Sequence, residues 1–177
     1  NNVQGMRDLI GYVMEMGHRS IAYIHGQSYS PVTKERVATF YKVMEENKIQ
    51  VDDTYVKEGV YLDPKTAENA TKELLRLKNP PTCILYPDDT SLIGGLNAIR
   101  EMKLQIPKDI SVAGYDGTNY SQMLYPRVTT IRQDTNRIGA EAANRLIGII
   151  ENPKTALLER VIVDGILIKG ESVGRIS

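Results

Sequence analysis

The stretch 110-ISVAGYDGTNY-120 decides how the chain is read. From Ile110 to Tyr115 it is apolar on both alternating faces, the pattern of a strand buried inside a sheet, and it then breaks into Asp116, Gly117, Thr118 and Asn119. A strand that stops in an aspartate and a polar loop is explained if a polar cleft lies at its carboxyl end.

The segments before it alternate between helical spacing and short solid apolar runs. Met6, Leu9, Ile10 and Val13 recur at helical intervals, and Gly17 stands where a helix closes. A strand follows in "SIAYIHG", then a helix through Val37, Phe40, Tyr41 and Met44, then a short strand near 54–59. Asp63 and Pro64 supply the cap and first residue of a helix through Ala67, Ala70, Leu74 and Leu77. "PTCILYP" is a strand near 82–86, and Leu92, Leu96 and Ile99 mark a helix capped by Asp88 or Asp89. This αβαβαβαβ order, with strands apolar on both faces, predicts an α/β fold, a doubly wound, Rossmann-like parallel sheet with helices on both sides. Ligands of such sheets bind beyond the carboxyl ends of the strands. The strands here end in Gln27, Ser28 and Tyr29, in Tyr61 and Asp63, in Asp88 and Asp89, and in Asp116 and Asn119.

After Pro126 the order changes. "RVTTIRQD" is extended, residues 135–153 carry a helical stripe of Ile138, Ala142, Leu146 and Ile149, and "ERVIVDGILIKGESV" is one strand or two meeting near Gly165. With 177 residues, 41% hydrophobic and 25% charged, the chain accommodates one domain and a fraction of a second. Lys plus Arg and Asp plus Glu balance at 22 each, so no one-signed basic surface marks a nucleic-acid or membrane-binding module, and any DNA contact is expected from a module elsewhere. Cys83 lies in an apolar run and has no second cysteine to pair with, which points to a reducing cytoplasm. No apolar run approaches the roughly 20 residues that span a bilayer, and the first residues lack the pattern of a signal peptide. The chain also begins without methionine, as a processed or excised piece would.

"GHRSIAYIHG", "ERVATFYKVM", "PPTCILYPDDTSLIGGLNAI", "IPKDISVAGYDGTNYSQMLYPRVTTIRQD", "IGAEAANRLIGII" and "ILIKGES" occur in the order and spacing of one family. In this the chain resembles the LacI/GalR transcription repressors from about Asn1 to Ser172. Most specific is "P-x-D-I-S-V-x-G-Y-D" followed shortly by "P-x-V-T-T-I-x-Q". The resemblance implies a periplasmic-binding-protein-like fold in which two subdomains enclose a small effector, commonly a sugar, while a separate helix-turn-helix headpiece binds operator DNA. It implies that residues 1–132 and 165–177 form the C-terminal effector-binding subdomain, one complete subdomain. Residues 133–164 would be a crossover helix and strand, a fragment of a second, mostly missing N-terminal subdomain. The DNA-binding headpiece would be absent, and no cofactor or metal is called for.

Carried over by the same resemblance, the effector set is Arg36, Asp88, Asp116, Tyr61 and Gln133. Arg36 would grip hydroxyls or a carboxylate with its planar fork of donors, and Asp116 would accept from vicinal hydroxyls. Asp88 stands where many relatives have asparagine, Tyr61 matches an aromatic that stacks on a sugar ring, and Gln133 reaches the cleft from the crossing strand. Gly117 replaces a common second aspartate. Twofold contacts are expected from Tyr120, Met123, Leu124 and Tyr125, making a homodimer. Plainer alternatives stand beside these assignments: a surface arginine, a turn aspartate, a helix cap, one of ten tyrosines without a special role, a solvent-facing strand glutamine or a loop buried within one chain.

Two other functions fit parts of the pattern. Asp88, Asp89 and Asp116 could be a glycosidase pair or a divalent-metal site, although adjacent acids usually cap a helix and neither His18 nor His25 joins them. A periplasmic sugar-binding protein of a transport system would share the two-lobed architecture.

Overall fold

The computed structural model describes residues 1–153 and 159–176. Its elements run α1 (Asn2–Glu15), β1 (Ile21–His25), α2 (Pro31–Glu46), β2 (Val56–Glu58), α3 (Pro64–Leu75), β3 (Cys83–Leu85), α4 (Asp89–Glu101), β4 (Ser111–Asp116), β5 (Thr129–Arg132), α5 (Thr135–Glu151) and β6 (Ile166–Ile168). The six strands lie in the order β2-β1-β3-β4-β5-β6, parallel throughout except that β6 runs antiparallel to β5. The chain steps outward from β1 to β2, then crosses back over β1 to β3 and continues in the opposite direction through β4 and β5. In sheets of this kind such a switch in direction, here between β1 and β3, marks the carboxyl-end side on which ligands bind.

Alternation of side chains divides the core into two layers. Ile21, Tyr23, Cys83, Leu85, Ala113 and Tyr115 face α1 and α2, where Met6, Leu9, Ile10, Phe40, Val43 and Met44 meet them. Ala22, Ile24, Ile84, Tyr86 and Val112 face α3 and α4 and are covered by Ala67, Ala70, Leu74, Leu92 and Ile99. Helices therefore close both faces of the sheet. Asp63 and Asp88 cap α3 and α4 through side-chain bonds to the amides of Lys65 and Ser91. In α2 the buried stripe is rotated from the sequence reading. Val43 turns into the core, and Tyr41 stays on the surface because α1 and the sheet meet the neighbouring side of the helix.

His18 ties the underside of the sheet together. Its Nε2 donates to the carbonyl of Gly174 at 3.0 Å, so in the neutral ring Nδ1 accepts from the Thr82 hydroxyl at 2.9 Å. Burial pushes its pKa down, which the bond to Gly174 only partly opposes.

Beyond β5 the structure narrows the expectation. Of the segment 159–173 only Ile166–Ile168 forms a strand, the short piece after Gly165 that finds β5 as its partner. No residue of α5 is buried, and Leu146 and Ile150 are 59% and 69% exposed. Residues 154–158 of the proposed crossover lie outside the described residues.

Candidate functional site

The predicted residues gather above the carboxyl ends of the strands, and each is held there differently. Arg36 projects inward from the second turn of α2 and is 4% exposed. Its Nη1 donates to the carbonyl of Pro87 beyond β3 at 2.9 Å, and its Nε donates to Asn2 Oδ1 at 3.1 Å. The guanidinium carbon lies 3.5 Å from the centroid of the Tyr115 ring, a cation–π contact from a partly desolvated charge. Among the described residues Nη2 has no hydrogen-bond partner, so part of the fork keeps donors to spare.

Asp116 ends β4 with φ of 100°, and Gly117 follows at 65°. A bulky residue rarely adopts this left-handed region, and the pair turns the chain abruptly off the sheet. Gln133 answers from the neighbouring strand end, donating its side-chain amide to Asp116 Oδ1 and its backbone N–H to the Asp116 carbonyl. Burial holds the Asp116 carboxyl above the ordinary aspartate range; Gln133 and the Arg36 charge pull it down, and Asp88 and Asp89 push it up. Asp116 and Gln133 line a cleft of about 880 Å³ together with Thr118, Asn119 and Asp134. Gln133 also lines a second cleft of about 570 Å³ bounded by Asn2, Glu35, Arg145 and Arg160. Arg36 and Tyr61 stand outside both cleft linings.

Tyr61 packs its ring against the chain as it leaves β1, where a side chain at Gly26 would run into it. Its hydroxyl meets Thr33 Oγ1 at 3.0 Å, anchoring the ring to the start of α2.

The two aspartates beyond β3 are not poised as a pair. Asp88 caps α4: Oδ1 accepts from the Ser91 amide at 2.7 Å, and Oδ2 accepts from the Ser91 hydroxyl and the Leu62 amide at 2.8 and 3.0 Å. Its carboxylate is buried and bonded to the first turn of α4 and to the loop before α3, the helix-cap alternative to the effector contact that the resemblance implies. Asp89 is buried too, accepting from the amide and hydroxyl of Thr118 and the hydroxyl of Thr130. Burial raises its pKa despite these bonds. It ties α4 to the loop that follows Asp116, through space left by the missing side chain of Gly114. These are the bonds of a cap and a brace.

Tyr115 and Asn2 were not recognised from the sequence as parts of this site. Tyr115 carried a usable signal, being the last apolar residue of β4 on the face that looks toward α2. Asn2 carried none, since its role depends on where α1 starts relative to α2.

The surface around Tyr120 also differs from the expectation. Met123 and Tyr125 are 83% and 96% exposed, but Leu124 is partly buried against the layer under α3 and α4. Tyr120 hydrogen-bonds through its hydroxyl to Thr90 on α4. Leu124 thus packs in part within its own chain, the alternative to the twofold contact that the resemblance implies.

A doubly wound sheet with polar residues converging at the switch point defines a small-ligand-binding domain. The chain belongs to the family of periplasmic binding protein-like domains, whose pattern it matches over residues 10–173, in the form of the effector-binding region of LacI/GalR transcriptional regulators. It is 29% identical over 177 residues to a Bacillus subtilis (strain 168) chain named as the probable HTH-type transcriptional repressor ExuR, covering 100% of this chain and 53% of that one. It is 34% identical over 155 residues to the HTH-type transcriptional repressor PurR of Actinobacillus pleuropneumoniae serotype 3 (strain JL03), covering 88% and 46% respectively. Among solved structures, the transcriptional regulator CelR in complex with cellobiose superposes with a TM-score of 0.90 at 26% identity, over 97% of this chain and 52% of that one. The chain thus spans about half the length of the curated relatives it matches. These two relatives are named as repressors, one of them as a probable one. Among the described residues no helix is long and apolar enough to cross a membrane.

Proposed function

We propose that this chain forms one wall of the effector cleft of a cytoplasmic, homodimeric, sugar-responsive transcription regulator. A headpiece outside this chain binds operator DNA, and residues 133–164 belong to the opposing lobe. The effector is a small hydroxylated molecule. Arg36 donates to it, Asp116 accepts from adjacent hydroxyls, Tyr61 offers a ring face and Gln133 orients Asp116. The region performs no catalysis and uses no cofactor. Effector held between lobes favours one lobe orientation, and the population shift changes how a dimer presents its headpieces.

The observation that carries this reading is that Arg36 and Asp116 stand near enough at the strand ends for the Arg36 charge to act on the Asp116 carboxyl, while each makes only part of the hydrogen bonds open to it within the protein. The sugar seen with a related regulator supports the ligand class. Calorimetric titration of the full-length regulator with a panel of neutral sugars, sugar acids and sugar phosphates tests it. One class should bind, and the Arg36→Lys and Asp116→Asn variants should bind it more weakly. Binding that is unchanged in both variants would overturn the assignment.

A further inference from the structure

The contacts of Arg36 continue away from the cleft. Asn2 accepts from Arg36 Nε through Oδ1 and donates through Nδ2 to Glu35 Oε2 at 2.8 Å. Glu35 in turn accepts from Arg160 Nη2 at 3.0 Å. Glu35 and Arg36 are neighbours on α2 whose side chains diverge around the helix: one guanidinium is buried at the strand ends, and one carboxylate looks out toward the segment 159–164. Asn2 bridges that divergence from the first turn of α1. Beside it, Asn1 Nδ2 donates to Asp164 Oδ1 at 2.8 Å, a second tie between the start of α1 and the same segment.

Only an amide meets both demands at position 2. Its oxygen must face a donor, and its nitrogen must face a carboxylate, so the two partners also fix its orientation. Alanine would leave the buried Arg36 Nε unpaired. Aspartate would satisfy Arg36 but set two carboxylates against each other. Asn2 and Arg160 together hold the Glu35 carboxyl below its ordinary range. The outer pair is exposed, with Arg160 at 76%, and such a pair contributes little to stability. Its interest is therefore in what it connects.

We propose that Asn2 is a positioning residue that sets the guanidinium of Arg36 and couples it, through Glu35, to Arg160 on the segment that follows α5. The proposal rests on Arg36 being an effector contact. Its test reads Arg36 without effector, so its failure is distinct from failure of that assignment. The guanidinium sits over the Tyr115 ring, whose ring current should displace the Arg36 Nε–H resonance of the 15N-labelled chain and make it recognisable by its loss in Arg36→Lys. Solvent exchange at that N–H should be about tenfold faster in Asn2→Ala, the loss of roughly one hydrogen bond. Arg160→Met should move the Arg36 resonance in the wild type and leave it in place in Asn2→Ala. Asn2→Asp should keep Arg36 protected yet lose the response to Arg160→Met. Adding Glu35→Gln to Asn2→Asp should restore that response, because the amide so introduced on α2 can donate to the new carboxylate. These two variants keep the test open if Asn2→Ala does not fold. An Arg36 resonance indifferent to Arg160→Met in the wild type, or equally responsive without Asn2, would overturn the coupling.

Discussion

The guanidinium of Arg36 rests 3.5 Å from the ring centroid of Tyr115, so a buried charge at the strand ends is also packed against the core face of β4. One residue thus joins the hydrophobic layer under α1 and α2 to the polar rim of the crevice. Ligand binding and fold stability draw on that rim through different side chains, and substitution separates them.

Effector affinity should depend on pH through Asp116. Burial raises the carboxyl above the ordinary aspartate range, so protonation begins at a higher pH than for a free aspartate, and the ionised acceptor is lost as pH falls through that raised value. Affinity measured by calorimetry should therefore decline toward acid in the wild type. Asp116→Asn should weaken binding by about 2–3 kcal/mol, roughly 30- to 150-fold, and lack the decline. A variant that retains the decline would move its origin to another group.

Stability should respond to His18 with the opposite protonation logic. Its folded pKa is lowered from the ordinary value near 6.5, so between that value and the folded one the unfolded chain binds more protons. Stability is complete above the ordinary histidine pKa and is lost as pH falls through the window below it. Chemical denaturation across this range should show a slope in the wild type that flattens in His18→Gln; a parallel slope in both proteins would place the effect elsewhere.

Gly94 sits where α4 crosses α3, and a Cβ there would run into the backbone carbonyl of Pro64. Backbone cannot swing away as a side chain can. Gly94→Ala should cost about 1–3 kcal/mol through overpacking, lowering the melting temperature by several degrees. Gly139→Ala, on α5 with no atom within 4 Å of the added carbon, should not lower it. A melting temperature unchanged in Gly94→Ala would mean that the two helices separate easily.

Self-association should be read from Met123 and Tyr125 rather than Leu124. Replacing the two exposed residues with lysine removes apolar surface that no described residue of the chain covers, so sedimentation should show a weakened dimer while melting is unchanged. Leu124→Asp should chiefly lower the melting temperature, because the side chain packs under α3 and α4. A full-length regulator whose dimer survives both surface substitutions would assign its contacts to another face.

The architecture was legible because its causes are local and periodic. The spacing of Met6, Leu9, Ile10 and Val13, the Asp63-Pro64 start of α3 and the solid apolar run before Asp116 each reflect a one-dimensional constraint, and each matches an element of the structure. The alternation of these elements then left little freedom for the sheet, since right-handed crossovers and two covered faces follow from it. The residues that end the strands could likewise be named in advance, because strand ends and the crevice coincide in such sheets.

Tertiary structure alone decided which of those residues is free to bind. Asp88 and Asp89 are identical in type and adjacent in the chain, and the sequence offers either as the cap of α4; that Asp88 caps while Asp89 braces Thr118 and Thr130 depends on which amides and hydroxyls come within 3 Å. The same holds for Leu124, which turns inward between Met123 and Tyr125, and for Asn2, which reaches Arg36 across a separation of 34 residues. A helix or strand follows from the periodicity of its own residues. A hydrogen bond between elements distant in the chain, such as that of Asn2 to Arg36 or of Asp89 to Thr118 and Thr130, follows from how those elements pack, and nothing in the local pattern encodes it.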